Sequence, residues 1–274
     1  MNNREKAGMF YNAKENDVQI SAGNVHYITF GTGDRPLVMI PGLRLANING
    51  GSKPVAWFYR QFAKKYKVYM FDRKDNIKDP CTIHELAEDT SDAMKVLNIN
   101  NAYIFGVSQG GAIAQDLAIH HPDIVRKLVL GVTLSRPNPV IEKNINTWID
   151  MAKDRGLIAV AEDYTYKGFS ENYLKKNKIF IPLSLKAQKF MDKDRFIVLA
   201  KAVHTVNTYD RLCEIKCPVL VLGGGQDKIA TRQASIEIAD KIGCDYYIYE
   251  DLGHEAYSES KDFNRRIYEF FEKK

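Results

Sequence analysis

The sequence contains no long apolar run. None of its 274 residues belong to an uninterrupted apolar stretch approaching the ~18 residues that a membrane-spanning helix requires. Residues 1–17 are polar and lack the apolar centre of a secretory signal peptide. We therefore expect a cytoplasmic protein without a membrane partner.

Cysteine is scarce and is not arranged for a disulfide framework or a zinc knuckle. The four cysteines include no C-x-x-C pair, and "CEIKC" (213–217) has neither a common zinc spacing nor a nearby histidine. Free thiols are predicted, as in a reducing compartment, and no metal site is expected.

An excess of one charge is also missing. The net charge of +5 is small for this length, and acids stand among the basic residues, as in "SESKDFNRR". Because no dense basic stripe with interleaved aromatics occurs, nucleic-acid binding is not predicted. The pair Gly31-x-Gly33 lacks the third glycine and the following helix of a dinucleotide-binding loop, so no cofactor is expected.

What the sequence does contain is a regular alternation of short apolar runs and helical patterns. Strands are predicted at "VQIS", 24–31, 36–42, 67–72, 102–106, 125–133, and within 217–227 and 244–254. Helices are predicted at 55–66, 82–99, 109–121, 231–242 and 258–274. Thr82 and Glu85 have the spacing of a capping box at the start of the second helix. This alternation predicts an α/β protein with a mostly parallel sheet and helices on both faces.

One long segment, residues 135–208, breaks the alternation because it has helical patterns and no β-type runs. We interpret it as a helical insertion into a core formed by residues 1–134 and 209–274. Its aromatic residues either pack the insertion against the sheet or line an apolar pocket. These residues are Trp148, Tyr164, Tyr166, Phe169, Tyr173, Phe190 and Phe196.

The stretch "GVSQG" (106–110) stands between a predicted strand and a predicted helix. It fits the G-x-S-x-G pattern, in which small neighbours allow a strained turn that exposes the serine hydroxyl at the sheet edge. The pentapeptide alone is weak because it also occurs by chance. Its strand–turn–helix context predicts that Ser108 is a nucleophile.

A serine hydroxyl needs a base, and the sequence offers six histidines. His254 follows a predicted strand after "EDLG", so it lies at the carboxyl edge where open α/β sheets bind their ligands. It is therefore the predicted base. The other five lie in an early strand, in or at the ends of helices, or in the insertion: His26, His84, His120, His121 and His204.

The base needs a carboxylate to orient it. Asp227 ends the strand "VLVLGGGQD" at the same predicted edge, which gives the chain order Ser108, Asp227, His254. Asp251 is a rival close to His254 in sequence. The sequence Asp72-Arg73 also follows a strand, but in the wrong order for this role, and we interpret it as a structural turn.

Two backbone N–H groups are needed to stabilise an oxyanion. The residue after the nucleophile, Gln109, supplies one at the start of a helix. Leu43, after Pro41-Gly42 at the end of the third strand, is the second predicted donor.

Together, "VMIPGL", "FGVSQGGAIAQDLAIHHPDIVRKLVL", "CPVLVLGGGQD" and "DLGHEAY" resemble the α/β-hydrolase fold superfamily over essentially the whole chain. The resemblance implies about eight strands, with a cap inserted after the sixth where residues 135–208 lie. Many members have His-Gly where this chain has Pro41-Gly42. Members that act as dehalogenases or epoxide hydrolases carry aspartate at the nucleophile position, so Ser108 argues against both activities.

We therefore expect a cofactor-independent, carboxylesterase-like serine hydrolase that acts on small to medium, mostly apolar esters as a monomer or homodimer. Peptide, lactone, thioester or C–C bond hydrolysis and perhydrolysis on the same residues remain open. An aminopeptidase would need acids in the cap, such as Glu162-Asp163, to hold the substrate ammonium. A ligand sensor with slow turnover is the alternative from a different class.

Overall fold

A computed structural model describes residues 10–273 as an eight-stranded sheet with helices on both faces. Residues 1–9 of the polar N-terminal stretch, and residue 274 of the last predicted helix, lie outside the described range. The strands are β1 (Lys14–Ile20), β2 (Gly23–Phe30), β3 (Arg35–Ile40), β4 (Tyr66–Phe71), β5 (Ala102–Val107), β6 (Val125–Gly131), β7 (Val219–Gly224) and β8 (Asp245–Tyr249). Their order in the sheet is β1-β2-β4-β3-β5-β6-β7-β8. Only the β1–β2 and β2–β4 pairs are antiparallel, which confirms the predicted fold class.

The helices cover both faces of this sheet. They are α1 (Ser52–Phe58), α2 (Ile83–Val96), α3 (Gln109–His120), α4 (Pro139–Arg155), α5 (Leu157–Gly168), α6 (Glu171–Asn177), α7 (Phe180–Ala187), α8 (Lys193–Ala202), α9 (Arg232–Ile242), α10 (Ala256–Glu259) and α11 (Lys261–Glu272). Alternate residues of each strand point to opposite faces. Val38 and Ile40 of β3 accordingly belong to the core cluster that includes α2, α3 and α9, whereas Leu37 and Met39 belong to the cluster that includes α1 and α11.

Local signals set several helix ends. Both hydrogen bonds of the predicted capping box are present at α2, from the Glu85 amide to Thr82 Oγ1 (3.1 Å) and from the Thr82 amide to Glu85 Oε2 (2.8 Å). The single helix predicted over 55–66 is wrong in extent, because α1 ends at Phe58 and a short 3₁₀ turn follows at Arg60–Phe62. Tyr66, the first residue of β4, is fully buried. The burial of its side chain outweighs the helical pattern of the residues that precede it.

Five helices, α4 to α8, lie between β6 and β7, and residues 135–208 contain no strand. The two ends of this segment meet, since the amide of Thr208 donates to the carbonyl of Ser135 at 2.9 Å. Trp148 of α4 and Phe196 of α8 join the core cluster that covers one face of the sheet. The two ends of this helical segment therefore lie next to each other, between β6 and β7 in the chain.

The parallel register brings several strand ends to one edge. Ile40 is paired with Gly106, Val107 with Gly131, and Gly224 with Tyr249. The loops that follow β3, β5, β7 and β8 therefore emerge side by side beneath the insertion.

Candidate active site

Ser108 occupies the turn between β5 and α3 with φ 53° and ψ −123°, a conformation that a non-glycine residue rarely adopts. Such backbone strain costs on the order of 1–3 kcal/mol and persists only where the surroundings enforce it. Here the amide of Ser108 donates to the carbonyl of Gly131 (2.9 Å), and its carbonyl accepts from Thr133 Oγ1 (2.6 Å). The turn projects the hydroxyl into the space between sheet and insertion.

The glycines around Ser108 are required by close packing. A Cβ at Gly110 would lie 2.0 Å from the carbonyl oxygen of Ile40, and one at Gly106 would lie 2.4 Å from that of Gly110. Neither contact can form without moving backbone. The glycines thus let α3 start directly against the end of β3.

The three side chains predicted to act together are in hydrogen-bond contact. Ser108 Oγ lies 2.9 Å from His254 Nε2, and His254 Nδ1 lies 2.9 Å from Asp227 Oδ2. His254 and Asp227 are 1% and 8% exposed, so the contact between these two side chains is shielded from solvent. The distances fit a tautomer in which Nδ1–H donates to Asp227 and Nε2 accepts from the serine hydroxyl.

Hydrogen bonds and charge fix the ionisation of this pair. Burial opposes ionisation of Asp227, but the charge of His254 and the amides of Ile229 (2.8 Å) and Ala230 (3.0 Å) at Oδ1 outweigh it and lower the pKa of the carboxyl. Burial likewise disfavours the imidazolium, yet the adjacent Asp227 carboxylate raises the pKa of His254 above its ordinary value. The site is therefore arranged to stabilise a proton on His254.

The rival acids lie elsewhere. Asp251 is exposed and makes no hydrogen bond with His254. Asp72 accepts from the amides of Ile48 (3.0 Å) and Arg73 (2.7 Å), as a turn-forming carboxylate does. The remaining histidines contact other polar side chains: His26 with Asp17, His84 and His120 with Asp116, His121 with Glu88, and His204 with Asn146.

The two predicted oxyanion donors also lie at the serine. Leu43 and Gln109 line the same cavity as Ser108, and a Cβ at Gly42 would be 3.1 Å from that of Ser108. Within residues 10–273, neither the Leu43 amide nor the Gln109 amide donates to another residue. Their role as oxyanion donors remains a prediction.

The side chain of Arg73, which we interpreted from the sequence as part of a structural turn, also contacts this site. Its guanidinium donates to the carbonyl of Pro41 (2.7 Å) and lies 3.4 Å from Gln109 Oε1. Burial and, less strongly, neighbouring cations lower the pKa of Arg73 to about 10, despite the charge of Asp72, so it stays protonated at neutral pH. One buried cation thus contacts both segments that carry the predicted oxyanion donors.

A cavity of about 350 Å³ opens above Ser108 and is walled mainly by the insertion. Its apolar wall comes from α4, α5, α7 and α8: Ile141, Ile145, Trp148, Val160, Ile181, Leu185 and Phe196. The aromatic residues of the insertion show both of the roles that the sequence left open, and Trp148 and Phe196 combine the two. Trp148, Tyr164, Phe169, Tyr173 and Phe196 line the cavity, whereas Tyr166 is exposed and Phe190 packs on the core.

A buried carboxylate, Glu255, also borders the cavity, and the sequence analysis missed it. Tyr164 donates to Glu255 Oε1, Tyr257 donates to the same oxygen at 2.8 Å, and Ser258 Oγ donates to Oε2 at 2.6 Å. Burial together with the Glu255 charge raises the pKa of both tyrosines well above the ordinary range. Its position next to His254 in the chain is the signal that would have found it.

The acids considered for binding a substrate ammonium do not reach the cavity. Glu162 is exposed, and Asp163 Oδ2 accepts from Trp148 Nε1 at 2.7 Å. The one carboxylate that lines the cavity, Glu255, already accepts from three hydroxyl groups. No residue pair of the kind an aminopeptidase needs is therefore free in the described cavity.

One cluster within residues 10–273 brings together potential metal ligands, His84, Asp116 and His120. Both imidazole Nδ1 atoms lie against Asp116 Oδ1, at 2.8 and 3.0 Å, and Arg211 lies 2.8 Å from His120 Nε2. The Arg211 guanidinium already occupies one side of the cluster. None of the three clustered residues lines the cavity. The arrangement is that of a hydrogen-bonded surface network.

Comparison with known proteins agrees with this architecture. The sequence profile of the family described as serine aminopeptidase, S33 matches residues 81–261. The 3-oxoadipate enol-lactonase 2 of Acinetobacter baylyi is 22% identical over 237 residues, which cover 83% of each chain. A Caulobacter sp. (strain K31) protein named as a carbamate hydrolase is 24% identical over 190 residues, covering 65% of this chain and 69% of its own.

A solved structure shows the same fold. The enol-lactonase from Burkholderia xenovorans LB400 superimposes with a TM-score of 0.80 over 94% of this chain and 100% of its own, at 20% identity. Within residues 10–273, no helix is both long enough and apolar enough to cross a membrane.

Proposed function

Because the chain belongs to the serine aminopeptidase S33 family of α/β hydrolases, we propose that it is a serine hydrolase that cleaves carboxylic esters through an acyl-enzyme. The observation that carries the proposal is the hydrogen-bonded sequence Asp227–His254–Ser108 at the floor of a cavity with one apolar wall. A buried, oriented imidazole at 2.9 Å from a strained serine hydroxyl meets the geometric requirement for nucleophilic catalysis.

In the proposed acylation, Ser108 Oγ attacks the acyl carbon and passes its proton to His254 Nε2. The C=O electron pair moves onto oxygen, and the tetrahedral intermediate then collapses. The bond to the leaving oxygen breaks, and that oxygen takes the proton from His254 as the alcohol departs. Asp227 keeps Nε2 directed at the serine and stabilises the imidazolium while it exists.

Deacylation repeats these steps with water. Water attacks the acyl carbon while His254 takes its proton, and collapse returns the proton to Ser108 Oγ as the carboxylic acid leaves. The Leu43 and Gln109 amides donate to the oxyanion of both intermediates. Each such donor contributes about 3 kcal/mol to the stabilisation of the transition state.

We further propose that residues 135–208 form a cap that selects the acyl group. The contact between Ser135 and Thr208 supports an insertion with closed ends, and the apolar wall favours small to medium, mostly apolar substrates. No proposed step requires a cofactor. The four free cysteines are consistent with the proposed cytoplasmic location.

Lactone hydrolysis is the second candidate, since two of the compared proteins are named as enol-lactonases. A lactone is a cyclic ester, so the same residues would act in the same order, and the leaving alcohol would stay attached to the acyl group. Peptide hydrolysis receives less support because the cavity offers no free carboxylate for a substrate ammonium.

The test compares Ser108→Ala with Ser184→Ala, a serine that lines the same cavity and donates only to the carbonyl of Ile181. Turnover of p-nitrophenyl butyrate should fall by at least about 10⁴-fold in the first variant and by less than about threefold in the second. Thermal melting should show that both variants fold.

Unchanged turnover in folded Ser108→Ala would refute the proposal. Labelling with a fluorophosphonate, followed by counting turnovers per labelled site, separates an enzyme from a slow ligand sensor. A panel of p-nitrophenyl esters, lactones, carbamates and anilides then identifies the bond that is cleaved.

A further inference from the structure

Three large apolar side chains of the insertion are strongly exposed around the start of α7. Ile179, Phe180 and Leu183 are 84%, 66% and 67% exposed, and no other large apolar residue in 10–273 is as exposed as these three. We call this group the apolar ridge. Scattered apolar residues on a surface are ordinary, but three neighbours at the start of one helix form a patch of the kind found at interaction sites.

The ridge lies on a helix that is apolar on two sides. Ile181 and Leu185 of α7 are 7% and 9% exposed and line the substrate cavity, while Phe180 and Leu183 face outward. An ordinary surface helix buries one apolar stripe and presents polar residues to water. The outward side of α7 therefore needs a partner that the described residues do not supply.

Charge around the ridge is unbalanced. The segment 171–189 has one acid, Glu171, and five exposed lysines: Lys175, Lys176, Lys178, Lys186 and Lys189. An apolar strip flanked by lysines is the pattern of helices that lie in the interface of an anionic membrane. Each lysine near such a surface adds electrostatic attraction to the insertion of the apolar side chains.

The charge also decides between possible occupants. Two copies of this chain that met through their ridges would bring two sets of lysines together, and like charges at an interface disfavour binding. We propose that the apolar ridge docks on the surface of an anionic phospholipid bilayer, with Ile179, Phe180 and Leu183 inserted between lipids and the lysines at the headgroups.

This docking is independent of the proposed chemistry, because Ser108 takes no part in it. It nevertheless places the substrate cavity within roughly 10 Å of the lipid, the diameter of one helix. From the sequence we expected no membrane partner, because neither a spanning segment nor a signal peptide is predicted. The proposal replaces that expectation only for binding at the membrane surface.

The test measures cosedimentation of the full chain with large vesicles, using Ser108→Ala in parallel so that binding and hydrolysis are read separately. Vesicles of phosphatidylcholine alone are compared with a mixture containing phosphatidylglycerol. We expect binding to the anionic vesicles to be at least about tenfold tighter and to weaken as salt is raised.

Variants then separate the two components. The double variant Phe180→Ser/Leu183→Ser should lose at least about tenfold in binding, and Lys175→Gln/Lys178→Gln/Lys186→Gln should lose about 100-fold on anionic vesicles. The matched controls lie in helices of the core or beside them. Val96→Ser replaces an apolar residue that is 54% exposed, and Lys64→Gln/Lys95→Gln removes two exposed lysines. Both should bind like the parent.

Equal binding to the two kinds of vesicle, no binding to either, or unchanged binding of the ridge variant would overturn the proposal. A dimer that dissociates in the ridge variant, without vesicle binding by the parent, would assign the ridge to a second copy and would also overturn it. Loss of esterase activity in Ser108→Ala with vesicle binding retained would support docking whatever the substrate is.

Discussion

The cavity at Ser108 has two walls of different construction. At the sheet edge, each polar side chain is held by backbone groups or by a charged neighbour, as Asp227 is by two amides and His254. In the helical insertion the wall is largely apolar, and most of its residues are held by packing, although Trp148 and Tyr164 also donate hydrogen bonds to Asp163 and Glu255. We propose that the difference divides two tasks, because directional contacts fix atoms for bond making whereas apolar packing sets only size and shape.

If this division is correct, changes at the sheet edge should act on kcat and changes in the insertion should act mainly on the choice of substrate.

The sheet edge is probed most directly by Asp227→Asn. An amide keeps the shape of the carboxylate but removes the charge that stabilises the imidazolium, so kcat should fall about 10⁴-fold. The charge of Asp227 raises the pKa of His254, and burial alone lowers it. Since the base must be neutral to act, activity in the parent should be lost on acidification through a pKa above about 6.5.

Without that charge, the acid limb of the variant should move to lower pH. Profiles of kcat/KM between pH 5 and 9 measure both effects. An acid limb that stays in place would show that Asp227 does not set the ionisation of the base. Asp251→Asn, at the exposed rival acid, is the matched control and should leave the profile unchanged.

An intermediate effect on kcat is expected at Arg73. Its side chain touches no reacting atom in the proposed mechanism, but it donates to the carbonyl of Pro41, two residues before Leu43. Arg73→Met should lower kcat by about 10- to 100-fold with little change in KM, because a misplaced oxyanion donor forfeits part of its ~3 kcal/mol. Arg73→Lys should recover part of that loss, since an ammonium still reaches one acceptor.

Steady-state kinetics on esters, with urea unfolding alongside, measure this prediction. A change confined to KM or to the free energy of unfolding would show that Arg73 has only a structural role.

The smallest effect is expected in the insertion, from Leu185→Ala. Enlarging the apolar wall should raise the preference for hexanoyl over acetyl esters by about 4-fold for each methylene that gains contact. The acetyl ester should react at nearly the parental kcat. A uniform fall of kcat across the ester series would contradict the division between the two walls.

Sequence reasoning reached the parts of the molecule that strand order determines. Ser108, Asp227 and His254 each follow a strand of a parallel sheet, and the carboxyl ends of such strands share one edge, so their proximity follows from topology. Their catalytic roles, and the limits of the insertion at 135 and 208, remain predictions.

Side-chain contacts and exposure that depend on how loops and helices pack could not be predicted from the sequence. Nothing local in "FDRKD" shows that the Arg73 side chain turns beneath Pro41. Likewise, the pattern of "IFIPLSL" does not reveal which apolar residues of α7 face water, since that depends on where the helix is seated.

The helices α7 and α8 of the insertion differ in how they are attached to the rest of the protein. Arg195 donates to the carbonyls of Arg73 (2.8 Å) and Lys74 (2.7 Å), and Gln109 Nε2 donates to that of Leu199 (2.6 Å). In contrast, α7 packs through a small separate cluster of Ala161, Ile181 and Leu185. The last helix of the insertion is thus hydrogen-bonded to the loop after β4 and to α3, so we expect local opening to cost less free energy at α7 than at α8.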